Sequence, residues 1–153
     1  VLAGLGEPIR DLPRAFEGTL PAGAGAAAVF CGGALCVSGP SWREDRDYAA
    51  RLAADPAVAA WPLVALVDDA ETAARDARSF LWHVFTRFEP GADVHAARTE
   101  VVRNQVARTA PIVLDARMKS WMPAVVTPDP ATVALVDRRW REYFPARGAG
   151  ARL

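Results

Sequence analysis

The chain has 153 residues, 52% of them apolar and 24% charged, and its eighteen basic and eighteen acidic side chains cancel. That length suits one domain able to bury roughly two thirds of the surface its unfolded form exposes, while the balanced charge offers no net field for nucleic acid or an anionic membrane surface, so neither is an expected partner. No apolar run approaches the roughly 20 residues that span a bilayer, and the start VLAGLGEPIR lacks a charged-then-apolar secretory pattern, which makes the cytoplasm the expected compartment; Val1 in place of Met points to a processed or trimmed chain.

Residues 1–24 are rich in Gly, Pro and Leu, with Pro8, Pro13 and Pro21 each removing a backbone donor, and read as an irregular lead-in. Ala26 to Cys31 and Ala34 to Ser38 are short runs separated by Gly32-Gly33, which suits an interrupted strand or a tight hairpin. Cys31 and Cys36 have neither CxxC spacing nor neighbouring ligands and are expected as free thiols. Ser41 to Ala54 predicts a helix capped by Ser41, with Tyr48 and Leu52 four apart on its apolar face and Asp55-Pro56 as its stop. Trp61 to Val67 is a continuous apolar run of strand length, the pattern of a strand buried on both faces of a parallel sheet.

A long helix follows, with Thr72 as its cap and Ala73 to Phe88 free of Gly and Pro; Ala77, Leu81, Val84, Phe85 and Phe88 form its expected core face, and Pro90-Gly91 end it. Asp93 to Ala96 and Ala110 to Leu114 are expected as two further strands. Asp129-Pro130 starts a last helix, with a stripe of Val133, Val136, Trp140 and Tyr143 and charge pairs Asp137–Arg141 and Arg138–Glu142. The alternation of strands and helices predicts a single α/β domain over residues 25–144, its mixed, mostly parallel sheet flanked by helices, with a frayed tail over 145–153.

Candidates for chemistry are few. His83 falls off the main apolar face and lacks a matching His, Cys or Ser constellation, so it reads as a structural or interface histidine; His95 is expected to face outward. Asp68 and Asp69 stand where open α/β sheets hold ligands or metals, but two carboxylates are too few for a hard cation, and a cap of the following turn by Asp68 is the better account. Asp115 ends the IVLD run in the same position, with Lys119 as a solvated partner. Gly23 to Gly25 and Gly32-Gly33 lack phosphate-cradle spacing and read as loops. The rival class of function, an independent enzyme or ligand binder, would need Asp68, Asp69 and Asp115 to converge in one pocket. Five Trp, three of them (Trp42, Trp121 and Trp140) near element ends, suit interface anchors as well as core.

The segment VALVDDAETAARDARSFLWHVFTRFEPGADV resembles the carboxyl-terminal segment of the UbiD family, the prenylated-flavin-dependent decarboxylases of aromatic and unsaturated acids. That family shows an apolar strand, an acidic V-D-x-D-like turn, a later Asp, a helix with a W-A-x-x-T-R signature, then Pro and a D-V strand. Val67, Asp68 and Asp69 stand for the turn, Asp76 for the later Asp, Trp82, Thr86, Arg87 and Pro90 for the helix signature, and Asp93 and Val94 for the strand. Asp115, Ala116 and Lys119 in IVLDARMK are similar to the family's I-D-A-T-x-K element, and Val136 to Tyr143 to its last helix, so the likeness runs over roughly Gly25 to Phe144. Ala70, Glu71 and Thr72 dilute the acidic turn, the spacing to Trp82 is one residue longer, and His83 replaces the usual Ala.

The family's flavin-binding domain, with its catalytic Arg and Glu and its metal and phosphate ligands, has no counterpart in this sequence. The resemblance therefore implies no catalytic, cofactor or metal ligand here; prenylated FMN and a divalent metal would belong to a partner subunit or a missing domain. It implies an accessory or assembly part of a UbiD-type carboxylase or decarboxylase, either a small subunit or a detached domain, that contacts a catalytic large subunit or copies of itself and borders the active site from outside.

Overall fold

A computed structural model of the chain describes residues 11–144. The first ten residues of the expected lead-in and the expected frayed tail lie outside that range. The chain divides into two compact units, one ending at Trp121 and the other beginning at Met122.

The first unit is an α/β domain around a five-stranded sheet in the order β1-β2-β3-β5-β4. β1 (Ala27–Cys31) and β2 (Ala34–Ser38) form an antiparallel hairpin, which decides between the two alternatives left by the sequence. Gly33 takes φ +84 at its turn, a conformation that favours glycine. β2, β3 (Leu63–Val67) and β5 (Gln105–Asp115) run parallel, and β4 (Val94–Val102) closes the other edge antiparallel to β5. The run Trp61 to Val67 thus becomes the central strand, parallel to both neighbours, as its unbroken apolarity predicts.

Alternation along the strands sorts side chains to two cores. Leu35 and Val37 of β2, Val64 and Leu66 of β3 and Val113 of β5 join Trp61 and Val58 on one face. There they meet Tyr48, Ala49, Leu52 and Ala53 of helix α1 (Tyr48–Ala53). Cys36, Ala65, Val67 and Leu114 point to the opposite face, where α2 (Ala70–Ala74) and α3 (Ala77–Phe85) cover them with Ala70, Ala73, Phe80 and Val84. Gly39 lets the chain pass tightly over the first core, since a Cβ there would lie 2.7 Å from Leu66 Cδ1.

The elements depart from expectation where polar side chains compete for the backbone. α1 begins at Tyr48, not after Ser41. Ser41 donates its amide and hydroxyl to Glu44, and the Asp45 carbonyl, which a continuous helix would present to the Ala49 amide, accepts Nη1 of Arg117 at 2.9 Å. The single helix expected over Ala73 to Phe88 is two. Asp76 sits extended between them and accepts the Ser79 amide at 2.7 Å, starting a new helix without any Gly or Pro. Thr72 is not a cap; it donates its amide to the real one, Asp69.

The expected core face of α3 is also corrected. Phe80 and Val84 are buried, whereas Leu81 and Phe85 are 57% and 54% exposed. β4 and β5 are far longer than Asp93–Ala96 and Ala110–Leu114, because a two-residue turn at Arg103 and Asn104, both at positive φ, pairs Val102 with Gln105 and extends the ribbon past the sheet. His95 is half-buried on β4, not outward-facing.

The second unit contains α4 (Pro130–Tyr143), started as predicted by Asp129, whose carboxylate accepts the Thr132 amide at 2.9 Å. Glu142 pairs with Arg139 at 2.9 Å in place of Arg138, and Asp137–Arg141 is not among the ion pairs of the described residues. Trp140 is half-buried and stacks at a tilt on Phe144, ring centres 4.5 Å apart.

Candidate functional site

The carboxyl ends of β3 and β5 gather most of the charged residues that the sequence singles out. Asp115 ends β5, and in the irregular segment that follows Ala116, Arg117 and Lys119 are buried as Asp115 is; the three charged residues Asp115, Arg117 and Lys119 are 1%, 0% and 3% exposed. The Arg117 guanidinium grips Asp115 with Nε at 2.8 Å and Nη2 at 2.6 Å, a two-pronged pair. Its Nη1 donates to the carbonyls of Pro40 and Asp45, both at 2.9 Å, tying the β5 end to the loop before α1.

Lys119 donates two hydrogen bonds and makes one ion pair. Its ammonium lies 2.9 Å from Asp93 Oδ2, 2.7 Å from the Arg87 carbonyl and in hydrogen-bond contact with the Asp115 carbonyl. The expected solvated Lys119 is therefore a buried clamp, and its carboxylate partner is Asp93, which also accepts the Glu89 amide at 2.7 Å. Asp68 receives Nη1 of Arg87 at 2.8 Å and the Met118 amide. The turn cap expected of Asp68 is supplied by Asp69 instead, through the amide and hydroxyl of Thr72.

The remaining candidates lie along α3. Asp76 caps it, and hydrogen bonds from the Ser79 amide and then from Arg75 hold the Asp76 carboxyl below the usual carboxylate range. His83 places Nδ1 2.8 Å from the Ser79 carbonyl, which makes Nδ1 the protonated nitrogen. Trp82 is 62% exposed and Thr86 returns its hydroxyl to the Trp82 carbonyl. Arg75, Asp76, Arg78, Ser79, Trp82 and His83 line an open depression of about 430 Å³ along the helix.

Chemically, the strand-end cluster is closed. Asp68, Asp93 and Asp115 each already hold a cation of the chain itself, Arg87, Lys119 and Arg117 respectively. No buried side-chain nitrogen or oxygen among the described residues lacks a partner, and no group of three or more His, Cys, Asp or Glu is placed to hold a metal ion. The carboxylates of this cluster are thus already taken up by cations of the chain itself. Asp68, Asp69 and Asp115 share no ligand position: one binds Arg87, one caps α2 and one is sealed against Arg117. Arg117 is not singled out by the sequence, and Asp93 only through the family resemblance; no local pattern announces that either forms a buried ion pair.

Fold and cluster together define an open α/β sheet domain whose strand ends are locked by internal ion pairs. Among the described residues, no helix is long and apolar enough to cross a membrane. No family model matches the chain. It is 35% identical over 145 residues, 95% of its length, to a Chlamydia pneumoniae protein named as a 4-hydroxybenzoate decarboxylase subunit. It is 38% identical over 145 residues to an uncharacterized protein of Chlamydia trachomatis, and 33% identical over 144 residues to another of Chlamydia muridarum. The chain spans 24% of the length of each of these relatives.

Proposed function

We propose that this chain is a non-catalytic α/β part of a UbiD-type, prenylated-FMN-dependent decarboxylase or carboxylase of aromatic or unsaturated acids. In this reading it contributes assembly contacts and borders the active site. The flavin and its metal are held by a large subunit or by a domain outside this sequence. The observation that carries the reading is the 35% identity, over nearly the whole chain, to a relative named as part of a decarboxylase. The order Asp68, Asp69, Asp76, Trp82, Thr86, Arg87, Asp115, Lys119 and its resemblance to the UbiD carboxyl-terminal segment support it. The closed strand-end cluster supports it too, since a scaffold whose polar groups bind one another is suited to holding a neighbour in place.

The test is affinity purification of the tagged chain from cells that also express candidate UbiD-like flavoproteins, followed by absorbance spectroscopy and decarboxylation assays on 4-hydroxybenzoate. A co-purifying flavoprotein that turns over an aromatic acid, with the isolated chain inactive, is the expected result. Turnover by the isolated chain, or failure of every such flavoprotein to bind, overturns the reading.

A further inference from the structure

The outer half of the β4–β5 ribbon carries an open sheet edge that the fold leaves unused. β5 pairs with β3 only from Ile112 onward, so the ribbon over residues 98–109 stands beyond the sheet. Its two-residue turn makes Val102 and Gln105 a pair that exchanges both backbone bonds, and the ladder alternates from there. Thr99 and Val101 consequently turn their N–H and C=O groups away from β5. Among the described residues no backbone hydrogen bond from another element reaches them. Residues 97–102 are exposed throughout and include no proline, a residue that commonly closes an edge. On the face shared by Thr99, Val101, Val106 and Arg108, the cross-strand pair Val101 and Val106 is 72% and 57% exposed.

We infer that the edge of β4 receives a strand of another protein, one in which acidic and apolar side chains alternate. Charge selects that occupant. The whole chain is neutral, yet residues 94–109 hold Arg98, Arg103 and Arg108 against the single carboxylate of Glu100. Arg98 is taken up by Glu100 at 2.8 Å, whereas Arg103 and Arg108 are exposed and enter no ion pair among the described residues. These two arginines flank the valine pair in sequence, each two residues beyond one of its members. A strand laid along β4 bonds its backbone to Thr99 and Val101, sets an apolar side chain beside the valines and carries carboxylates to the two arginines. The edge of β4 is the longer of the two open ones: it runs along all of Val94–Val102, whereas that of β5 ends where β3 begins to pair at Ile112. Nucleic acid is the poorer match, since its phosphates offer no donor to the edge carbonyls and no apolar surface to the valines.

The inference deepens the assembly role proposed above by naming a surface and the chemistry of what it receives, and rests on that reading only for the complex in which it would serve. The test uses the whole chain and two fluorescein-labelled peptides of about eight residues, a strand's length, one alternating Glu and Val and the other Lys and Val. Fluorescence anisotropy is expected to show micromolar binding of the Glu peptide and at least about tenfold weaker binding of the Lys peptide. The double variant R103E/R108E, its fold confirmed by circular dichroism, should reverse that preference. Val101→Pro should weaken the Glu peptide at least about tenfold by removing an outward N–H. Amide exchange locates the strand: Thr99 and Val101 should gain protection on adding the Glu peptide, while Glu100 and Val102, already bonded to β5, should not change. No wild-type binding up to about 1 mM, equal binding of both peptides, or protection appearing at Val106 and Arg108 instead overturns the inference. So does a DNA duplex that binds more tightly than the Glu peptide, or a folded double variant with unchanged preference. A ribbon that takes the Glu peptide while no flavoprotein co-purifies leaves this surface standing and refutes the proposed function alone.

Discussion

Replacing Arg117 by Met tests whether the strand-end cluster is structural. The guanidinium is fully buried and supplies four hydrogen bonds, two to Asp115 and one each to the carbonyls of Pro40 and Asp45. Met fills a similar volume, so the packing loss is small. What remains is a carboxylate 1% exposed with no counter-charge, together with two carbonyls that lose a donor. Stranding one member of a buried pair costs about 3–5 kcal/mol, and about 4 kcal/mol is expected here. In a chain of 153 residues that corresponds to a fall of about 12 °C in Tm. Urea titration followed by circular dichroism reads the free energy directly. Asp115→Asn should also destabilise, by leaving the guanidinium uncompensated, but the double variant should lose about 2 kcal/mol less than the sum of the two, because no lone charge is left behind. An Arg117→Met protein within about 1 kcal/mol of wild type, or strictly additive variants, would refute the account of the cluster as a buried clamp.

Lys119→Met should cost about 3 kcal/mol for the same reason, stranding Asp93 and freeing the Arg87 carbonyl; amide exchange at Glu89, whose N–H is held by Asp93, should accelerate in that variant. Acid should weaken the helix starts together. Hydrogen bonds from Thr72, Ser79 and Thr132 hold the carboxyls of Asp69, Asp76 and Asp129 below their ordinary value of 3.8, so their stabilisation is complete above that pH and is lost as pH falls through the lowered values. An Asp76→Ala variant should therefore be less stable than wild type at neutral pH and converge with it in acid, as thermal melts across pH will read. Burial pushes the Cys36 thiol up to about 12, so the folded state loses stability between the unfolded value of 9.0 and that point, by up to about 1.4 kcal/mol per pH unit. Alkylation under native conditions should accordingly modify exposed Cys31 and spare Cys36 until the chain unfolds, which mass spectrometry detects.

How far the sequence discloses this structure depends on which force decides each element. Burial decides β3, and its unbroken run Trp61 to Val67 is legible because a strand covered on both faces has no polar position to confuse the pattern. Asp129 and Pro130 are legible because cap and helix start are local. The outer half of the β4–β5 ribbon is not, since Arg98 to Thr109 face solvent and carry no apolar alternation; its one local signal is Asn104 in a two-residue turn. The break at Asp76 contains neither Gly nor Pro, the usual breakers, yet an Asp three residues before a Ser is itself a helix start. The core face of α3 is ambiguous in sequence because two apolar stripes exist and only tertiary packing selects Phe80 and Val84.

The candidate site turns on an inventory that no local pattern contains. Asp68 and Asp115 stand at the carboxyl ends of adjacent parallel strands, where open α/β sheets commonly leave a ligand crevice, so their positions alone are compatible with binding. Whether they bind depends on the cations nearby, and those arrive from distant points of the chain: Arg87 from the end of α3, Arg117 and Lys119 from beyond β5. Counting then decides. Three cations meet three carboxylates, Lys119 donates to two carbonyls as well, and two of the four Arg117 side-chain contacts tie the sheet to the loop before α1. A ligand entering this crevice would have to displace the buried Asp115–Arg117 and Asp93–Lys119 pairs at several kcal/mol each, whereas the Asp68–Arg87 pair is open to solvent on its Asp68 side. The ion pairs at the strand ends therefore tie the end of β5 to the loop before α1 and to the segment after α3, a rigid arrangement in keeping with the assembly role proposed above.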